Sequence, residues 1–261
     1  MIHLERPPSK KEFEWLTTIP NDGIIRQPVI PGQYHYIPTT PKVLSELLVT
    51  RAYDFHKPSG GRNILRVVLG DGLVVSEDDI HRFQRKNLNP MFSFRHIKDL
   101  YPLMWSKSIE LVDCVKAETS SNSNSESGYV VEVNRWASRA TLDIIGVAAI
   151  GRNLNALRDS SDELVQLYEW IFGRTDRKLW FMAHFLLPKK LIDLLPWKTN
   201  RDVMSNATAL RRVCGNFVTE KRAAMAKDSG EAVDTLAHLI RSNNFSDQDL
   251  VDQLLTILAA G

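Results

Sequence analysis

The sequence has no Gly-rich phosphate loop, no His-Glu-x-x-His helix, no Cys-x-x-Cys pair and no Gly-x-Ser-x-Gly elbow. That removes the usual signatures of nucleotide, zinc, dithiol and serine-hydrolase chemistry. Cysteine is scarce. Its 2 thiols, Cys114 and Cys214, each sit inside a helical pattern, so the chain is no disulfide scaffold and suits a reducing compartment. The histidines at 3, 35, 56, 81, 96, 184 and 238 are scattered, and none is spaced as a metal pair. An excess of one charge is also lacking. Against 33 Lys and Arg stand 31 Asp and Glu, a net of +2, which argues against a nucleic-acid partner. Local clusters (Arg82/Arg85/Lys86, Lys189/Lys190, Arg211/Arg212) read as solvated helix faces.

Long apolar runs are missing too. The longest, Leu179 to Leu187, is interrupted by His184 and falls far short of the ~20 residues a spanning helix needs. The first residues, Met-Ile-His-Leu-Glu-Arg, predict neither signal peptide nor membrane anchor. Residues 179–197 remain a candidate peripheral membrane contact, with Trp180, Phe181 and Phe185 inserted and Lys189/Lys190 at headgroups. A loop plug over a core fits the same residues.

What is present is an ordinary globular composition, 43% hydrophobic and 25% charged over 261 residues, enough for one large domain or two small ones. Residues 1–50 read as a strand-rich opening: the turn Asn21-Asp-Gly23 is followed by Ile24-Ile-Arg26 and by the alternating Gln33-Tyr-His-Tyr-Ile37. Pro41 to Thr50 predicts a helix with Pro in its first turn. The glycines and prolines of 58–75 predict a long irregular connection. Ser76 with Asp79 predicts a capped helix start, Arg85 and Lys86 load its last turn, and Pro90 closes it. Residues 94–118 predict one amphipathic helix burying Ile97, Leu100, Tyr101, Met104, Trp105, Val112 and Val115. The Ser/Asn-rich 119–128 reads as a flexible linker. Val133 to Ile150, apolar nearly all round, predicts a core helix stopped by Gly151. Helices over 161–172, 200–227 and 231–241 complete a mainly α fold with a small N-terminal β element.

The last segment, Ser246-Asp-Gln-Asp-Leu-Val-Asp-Gln-Leu-Leu-Thr-Ile-Leu-Ala-Ala-Gly261, has a good helix start and an apolar surface too wide for a solvent-facing helix. No sequence follows to cover it, so the expectation is a chain shortened within a core helix. Taken alone, these patterns support a soluble helical domain.

The order of segments adds more. Gly70-Asp-Gly-Leu-Val-Val-Ser-Glu-Asp-Asp-Ile-His81-Arg-Phe-Gln-Arg85-Lys-Asn-Leu-Asn-Pro90-Met-Phe92-Ser-Phe94 resembles the helix C region of cytochrome P-450 heme-thiolate monooxygenases, especially fungal ones. Arg139-Ala-Thr-Leu-Asp-Ile-Ile-Gly146 resembles their helix E. Leu258-Ala-Ala-Gly261 resembles the first half of their helix I motif, and Pro41 to Pro58 their helix B region. The resemblance runs in order over nearly the whole chain from about Ile19.

It implies a partial cytochrome P-450 fold over 1–261. Helices C and D would lie within 76–118, and helices E to the start of I within 129–261. It implies heme as cofactor, with His81 and Arg85 in the places of the family's Trp-x-x-x-Arg; here His81 departs from that pattern. Residues four apart share a helix face, and an imidazole and a guanidinium can both donate to a heme propionate. Ala260 and Gly261 match the small helix I positions beside the cofactor. The family's Cys ligand lies in Phe-x-x-Gly-x-x-x-Cys-x-Gly, and neither Cys114 nor Cys214 has that context. Glu132-Val-Asn-Arg135 matches the letters of the helix K pair but stands too early. The expectations are therefore a chain without the axial thiolate and without oxygen activation of its own. A missing C-terminal half, a reductase as electron donor and a small apolar substrate, with a place in secondary metabolism, complete them. The site would be intracellular, soluble or peripheral to the endoplasmic reticulum. The alternative is a non-enzymatic remnant or helical interaction module.

Overall fold

In the computed structural model, which describes residues 10–30, 32–121, 130–172, 180, 183–184, 192, 197–227 and 234–260, the chain divides into two compact units, residues 1–56 and 57–261. In the first unit the Asn21 side chain accepts from Gly23 N–H (3.1 Å) and from the Thr39 hydroxyl (2.5 Å). This Asx turn launches strand β1 (Ile24–Ile30), which pairs antiparallel with β2 (Gln33–Pro38) in the register Ile24↔Pro38 and Arg26↔Tyr36. The hairpin follows the predicted alternation. Helix α1 (Lys10–Thr18) precedes it and α2 (Pro41–Ser45) follows, the latter capped by Thr40 and prolonged by a π turn, Glu46–Thr50. The described residues between 10 and 50 thus hold helix as well as strand.

The second unit is helical. It runs α3 (Ser59–Leu69), α4 (Asp78–Leu88), a 3₁₀ turn (Asn89–Phe92), α5 (Phe94–Asp99), α6 (Tyr101–Ser121), α7 (Val133–Ile145) with a π turn Gly146–Ile150, α8 (Glu163–Phe172), α9 (Lys198–Lys227), α10 (Thr235–Ser242) and α11 (Asp247–Ala260). Helix α3 corrects the expected irregular connection at 58–75. Ile64, Val68 and Leu69 form a buried stripe at helical spacing, and that burial overrides the two glycines of its first turn. Helix α4 starts from Glu77 and not Ser76, whose hydroxyl instead donates to buried Gln84 Oε1 at 2.8 Å. The expected single helix at 94–118 breaks at Leu100. Of its predicted buried side, Tyr101, Trp105 and Val112 are exposed.

Helices α6 and α7 form an antiparallel hairpin clamped at both ends. Glu118 accepts from Trp136 Nε1 (2.6 Å) and Arg135 (3.0 Å), while Lys107 donates to fully buried Asp143 (3.4 Å) and to Glu110 (2.9 Å). Asp143 also accepts from the backbone of Ala156 and Leu157. Glu132 accepts from Arg135 N–H at 2.6 Å and so caps α7, which accounts for the Glu-x-x-Arg letters as a local helix start. Gly151 ends the π turn with φ +77°, the left-handed stop expected there.

Helix α11 begins with the predicted cap: Ser246 Oγ accepts from Asp249 N–H, and Asp249 Oδ2 accepts from Ser246 N–H. Its cover was not predicted. Leu250, Leu254, Leu255 and Leu258 are at most 2% exposed, packed on α9, α3 and α10. The expected exposed apolar face on this helix is not found: apolar faces earlier in the sequence cover it. Trp180, read either as a membrane contact or as part of a plug over a core, is buried with Ile64 and Val203, as the plug reading has it. Phe181, Phe185, Lys189 and Lys190, most of the 119–128 linker and Gly261 lie outside the described residues. Among the described residues no helix is long and apolar enough to cross a membrane.

Candidate functional site

Breaking the chain at Leu100 and turning it back at α7 leaves an apolar cavity of about 330 Å³ in the second unit. Leu88 and Phe92 close it from the α4 end, Leu100 from the break before α6 and Met104 from α6, Ile144 and Ala148 from α7 and its π turn, and Thr256, Ile257 and Ala260 from α11. Its polar groups are few. Thr256 donates to the Asp252 carbonyl one turn back (2.9 Å) and Thr235 to the Ala148 carbonyl. Gln253 is fully buried in the wall. Its Oε1 accepts from Leu73 N–H at 3.2 Å, and its Nε2 has no partner.

Of the residues singled out in the sequence, Ala260 lines this cavity, while His81 and Arg85 do not. The latter two lie one turn apart on α4, with Leu88, one turn further, in the cavity wall. His81 is half-buried and Arg85 exposed. Burial, then the positive charges of Lys57 and Arg85, hold the His81 imidazole below its ordinary pKa, against the pull of Glu77.

Two further cations join them that spacing alone could not assign. Lys57 Nζ donates to the Ser76 carbonyl (2.7 Å), and Arg62 Nη1 pairs with Glu77 Oε2 (2.5 Å). Burial also pushes the Lys57 ammonium down, with Glu77 opposing and Arg62 assisting. The Arg62 Nε–H is buried without a partner. Lys57 and Arg62 thus meet at Glu77 beside His81, which also feels Arg85, and one Arg62 donor is unused, which is an arrangement that suits an added carboxylate. Signals for Lys57 and Arg62 were absent from the sequence, because the turn between 57 and 77 sets their distance to α4.

The comparisons with known proteins come to rest on the same architecture. A family model described as Cytochrome P450 matches residues 29–261. This chain belongs to the cytochrome P450 family. Its sequence is 39% identical over 252 residues to "Cytochrome P450 monooxygenase sphH" of Aspergillus fumigatus, covering 95% of this chain and 46% of that protein. It is 34% identical to "Cytochrome P450 monooxygenase ptmK" of Penicillium ochrochloron, covering 98% and 50%. The crystal structure of the cytochrome P450DA heme domain superposes with a TM-score of 0.68 at 18% identity, over 92% of this chain and 49% of that one. The chain spans about half the length of the relatives it matches.

Heme is the cofactor that the P450 family implies. The described residues fit part of it. The apolar cavity suits the faces of a porphyrin, and the α4 cluster with its unused Arg62 donor suits the propionates. The thiols do not complete the fit. Cys214 is packed in the main core with burial pushing its pKa up to about 12, and Cys114 packs beside Trp136; neither lines the cavity.

Proposed function

We propose that these residues form the propionate-side and distal walls of the heme pocket of a monooxygenase that oxidises a small apolar substrate. Heme bound with a thiolate ligand would supply oxygen activation. In this reading Arg85 and His81, with Lys57 and Arg62 behind them, hold the two carboxylates; Leu88, Ile257 and Ala260 present apolar or small surface to the ring and keep water out. In this reading neither Cys114 nor Cys214 would supply the thiolate, since neither lies in the cavity wall. Electrons would come from a reductase. The monooxygenase names of the fungal relatives support a place in secondary metabolism, and a location on or near the endoplasmic reticulum follows from the same family reading.

One observation carries this most directly: the helix bearing His81 and Arg85 continues into the wall of an apolar cavity that Ala260 also lines. The test is titration of the purified chain with hemin and with hemin dimethyl ester, whose propionates are blocked. Hemin should bind tighter, Arg85→Ala should abolish the preference, and the reduced carbon-monoxide complex should lack the thiolate spectrum. Equal binding of hemin and ester by the wild type would refute the carboxylate role. A thiolate-type spectrum would refute the assignment of the ligand elsewhere.

A second reading, a helical interaction module, is favoured by the exposed stripe Tyr101, Trp105, Ile109 and Val112 on α6. Concentration-dependent self-association abolished by Trp105→Ser, without hemin preference, would select it.

A further inference from the structure

Helix α4 is held to the last helix by a continuous set of buried and part-buried polar contacts. Asp252 on α11 accepts from Asp71 N–H (2.8 Å), from Gln248 Nε2 (3.0 Å) and from Arg211 of α9. One residue on, Gln253 Oε1 accepts from Leu73 N–H. The loop between α3 and α4 thus lays its backbone directly on two side chains of α11, and its glycines make the approach close enough. A Cβ at Gly72 would overlap Thr256 Oγ1 and come within 2.5 Å of the Asp252 carbonyl oxygen. At Gly70, where φ is +68°, it would overlap the Asp252 carboxylate.

The far side of the loop is tied to α4. Gln84 Nε2 donates to the Asp71 carbonyl (2.9 Å) and Gln84 Oε1 accepts from Ser76 (2.8 Å). Gln84 is 5% exposed and lies between His81 and Arg85 on the inward side of that helix. Asp71 therefore bonds α11 through its N–H and α4 through its C=O, one residue wide.

We infer that Asp252, Gln253 and Gln84 are positioning residues: through the Asp71–Leu73 backbone they fix α4, and hence the His81/Arg85 pair, relative to the small-residue end of α11. The role of that pair rests on the function proposed above; the latch itself stands on the geometry. Arg211 holds the Asp252 carboxylate in the orientation that meets Asp71, so two helices, α9 and α11, and one loop share a single carboxylate. Buried polar connections of this kind favour one arrangement over nearby alternatives because each orphaned group would be left unsatisfied.

The experiment compares the full chain with Asp252→Ala and, should that variant fold poorly, Gln84→Ala, which leaves α11 untouched. Amide hydrogen exchange should rise roughly tenfold at residues 71–73 and across 77–88, the factor expected for losing about one net buried hydrogen bond. Amides of α6 and α7 should keep their wild-type rates. Both variants should lose the preference for hemin over its dimethyl ester as fully as Arg85→Ala. Exchange that is unchanged at 77–88, or that rises equally everywhere, overturns the latch, since a merely stabilising contact would act on all amides alike. A wild type indifferent to esterification would instead strike the carboxylate role, while the exchange pattern would still decide whether the latch exists.

Discussion

Replacing Asp143 by Ala should destabilise the second unit by about 3–5 kcal/mol, the range for breaking a buried ion pair by removing one partner. Asp143 is fully buried, and Lys107 opposite is 6% exposed. The substitution strands that ammonium with Glu110 at 2.9 Å as its remaining carboxylate and removes the acceptor for two buried N–H groups, Ala156 and Leu157. Glu110 softens the first loss, and the two orphaned amides, each worth about 1–3 kcal/mol when left unpaired, supply the second. In urea unfolding followed by circular dichroism the midpoint should fall by about 1–2 M, given a slope of about 2.5–3 kcal/mol/M, the upper part of the urea range. The double variant Lys107→Met/Asp143→Leu separates the contributions. Removing both charges cancels the stranded-ion penalty but not the orphaned amides, so it should be less damaging than Asp143→Ala alone. A loss under about 1 kcal/mol for Asp143→Ala, or a double variant no better than the single, would refute the reasoning.

The remaining expectations are smaller. By NMR titration His81 should have a pKa below the ordinary histidine value, and Arg85→Ala should raise it by removing one positive neighbour. Because the folded-state value is depressed, its contribution to stability is present above the unfolded pKa of about 6.5 and is lost as pH falls through the folded value. Arg158 and Lys107 hold the Glu110 carboxyl below its ordinary range, so its contribution is likewise present above about pH 4.5 and lost in acid; an acid-unfolding curve shifted to higher pH by Arg158→Ala checks this. Gly72→Ala should cost about 1–3 kcal/mol by overpacking against Thr256 and Asp252, measured by thermal melting. Cys214 should resist a thiol reagent until the protein unfolds, since burial holds its pKa near 12.

Where local chemistry determines structure, the sequence was legible. The Asn21 turn, the hairpin, the Ser246–Asp249 cap and the Gly151 stop depend on groups a few residues apart, and each forms as read. The colinear motifs carried the family as well, because they preserve order over the whole chain. Long-range polar contacts were not legible. Asp252 meets Asp71 across 181 positions, and nothing in either neighbourhood marks the other. The same holds for Lys57 and Arg62 beside His81. Helix α3 was hidden for a different reason: Gly60 and Gly61 signal a loop, yet Ile64, Val68 and Leu69 gain enough burial to keep the segment helical.

Helix α6 shows why apolar periodicity cannot by itself locate a core. Leu111, Cys114 and Val115 pack against the Trp136 cluster, Leu100 and Met104 line the cavity, and Tyr101, Trp105, Ile109 and Val112 face outward with exposures from 49% to 72%. A helix whose apolar residues are spread over several sides leaves its rotation weakly fixed by hydrophobicity. What chooses among them is the charged residue that must not be left unpaired. Lys107 can reach Asp143 only when α6 turns its 107–114 side toward α7, and that rotation sends Trp105 and Ile109 out to solvent. The polar pair therefore sets the orientation, and apolar contact follows it. Breaking the pair while keeping volume, as in the double variant above, should leave α6 helical but free its rotation. That is testable as a shift in the fluorescence of Trp105 without loss of helical signal. Unchanged Trp105 emission would show that packing against Trp136 alone fixes the helix.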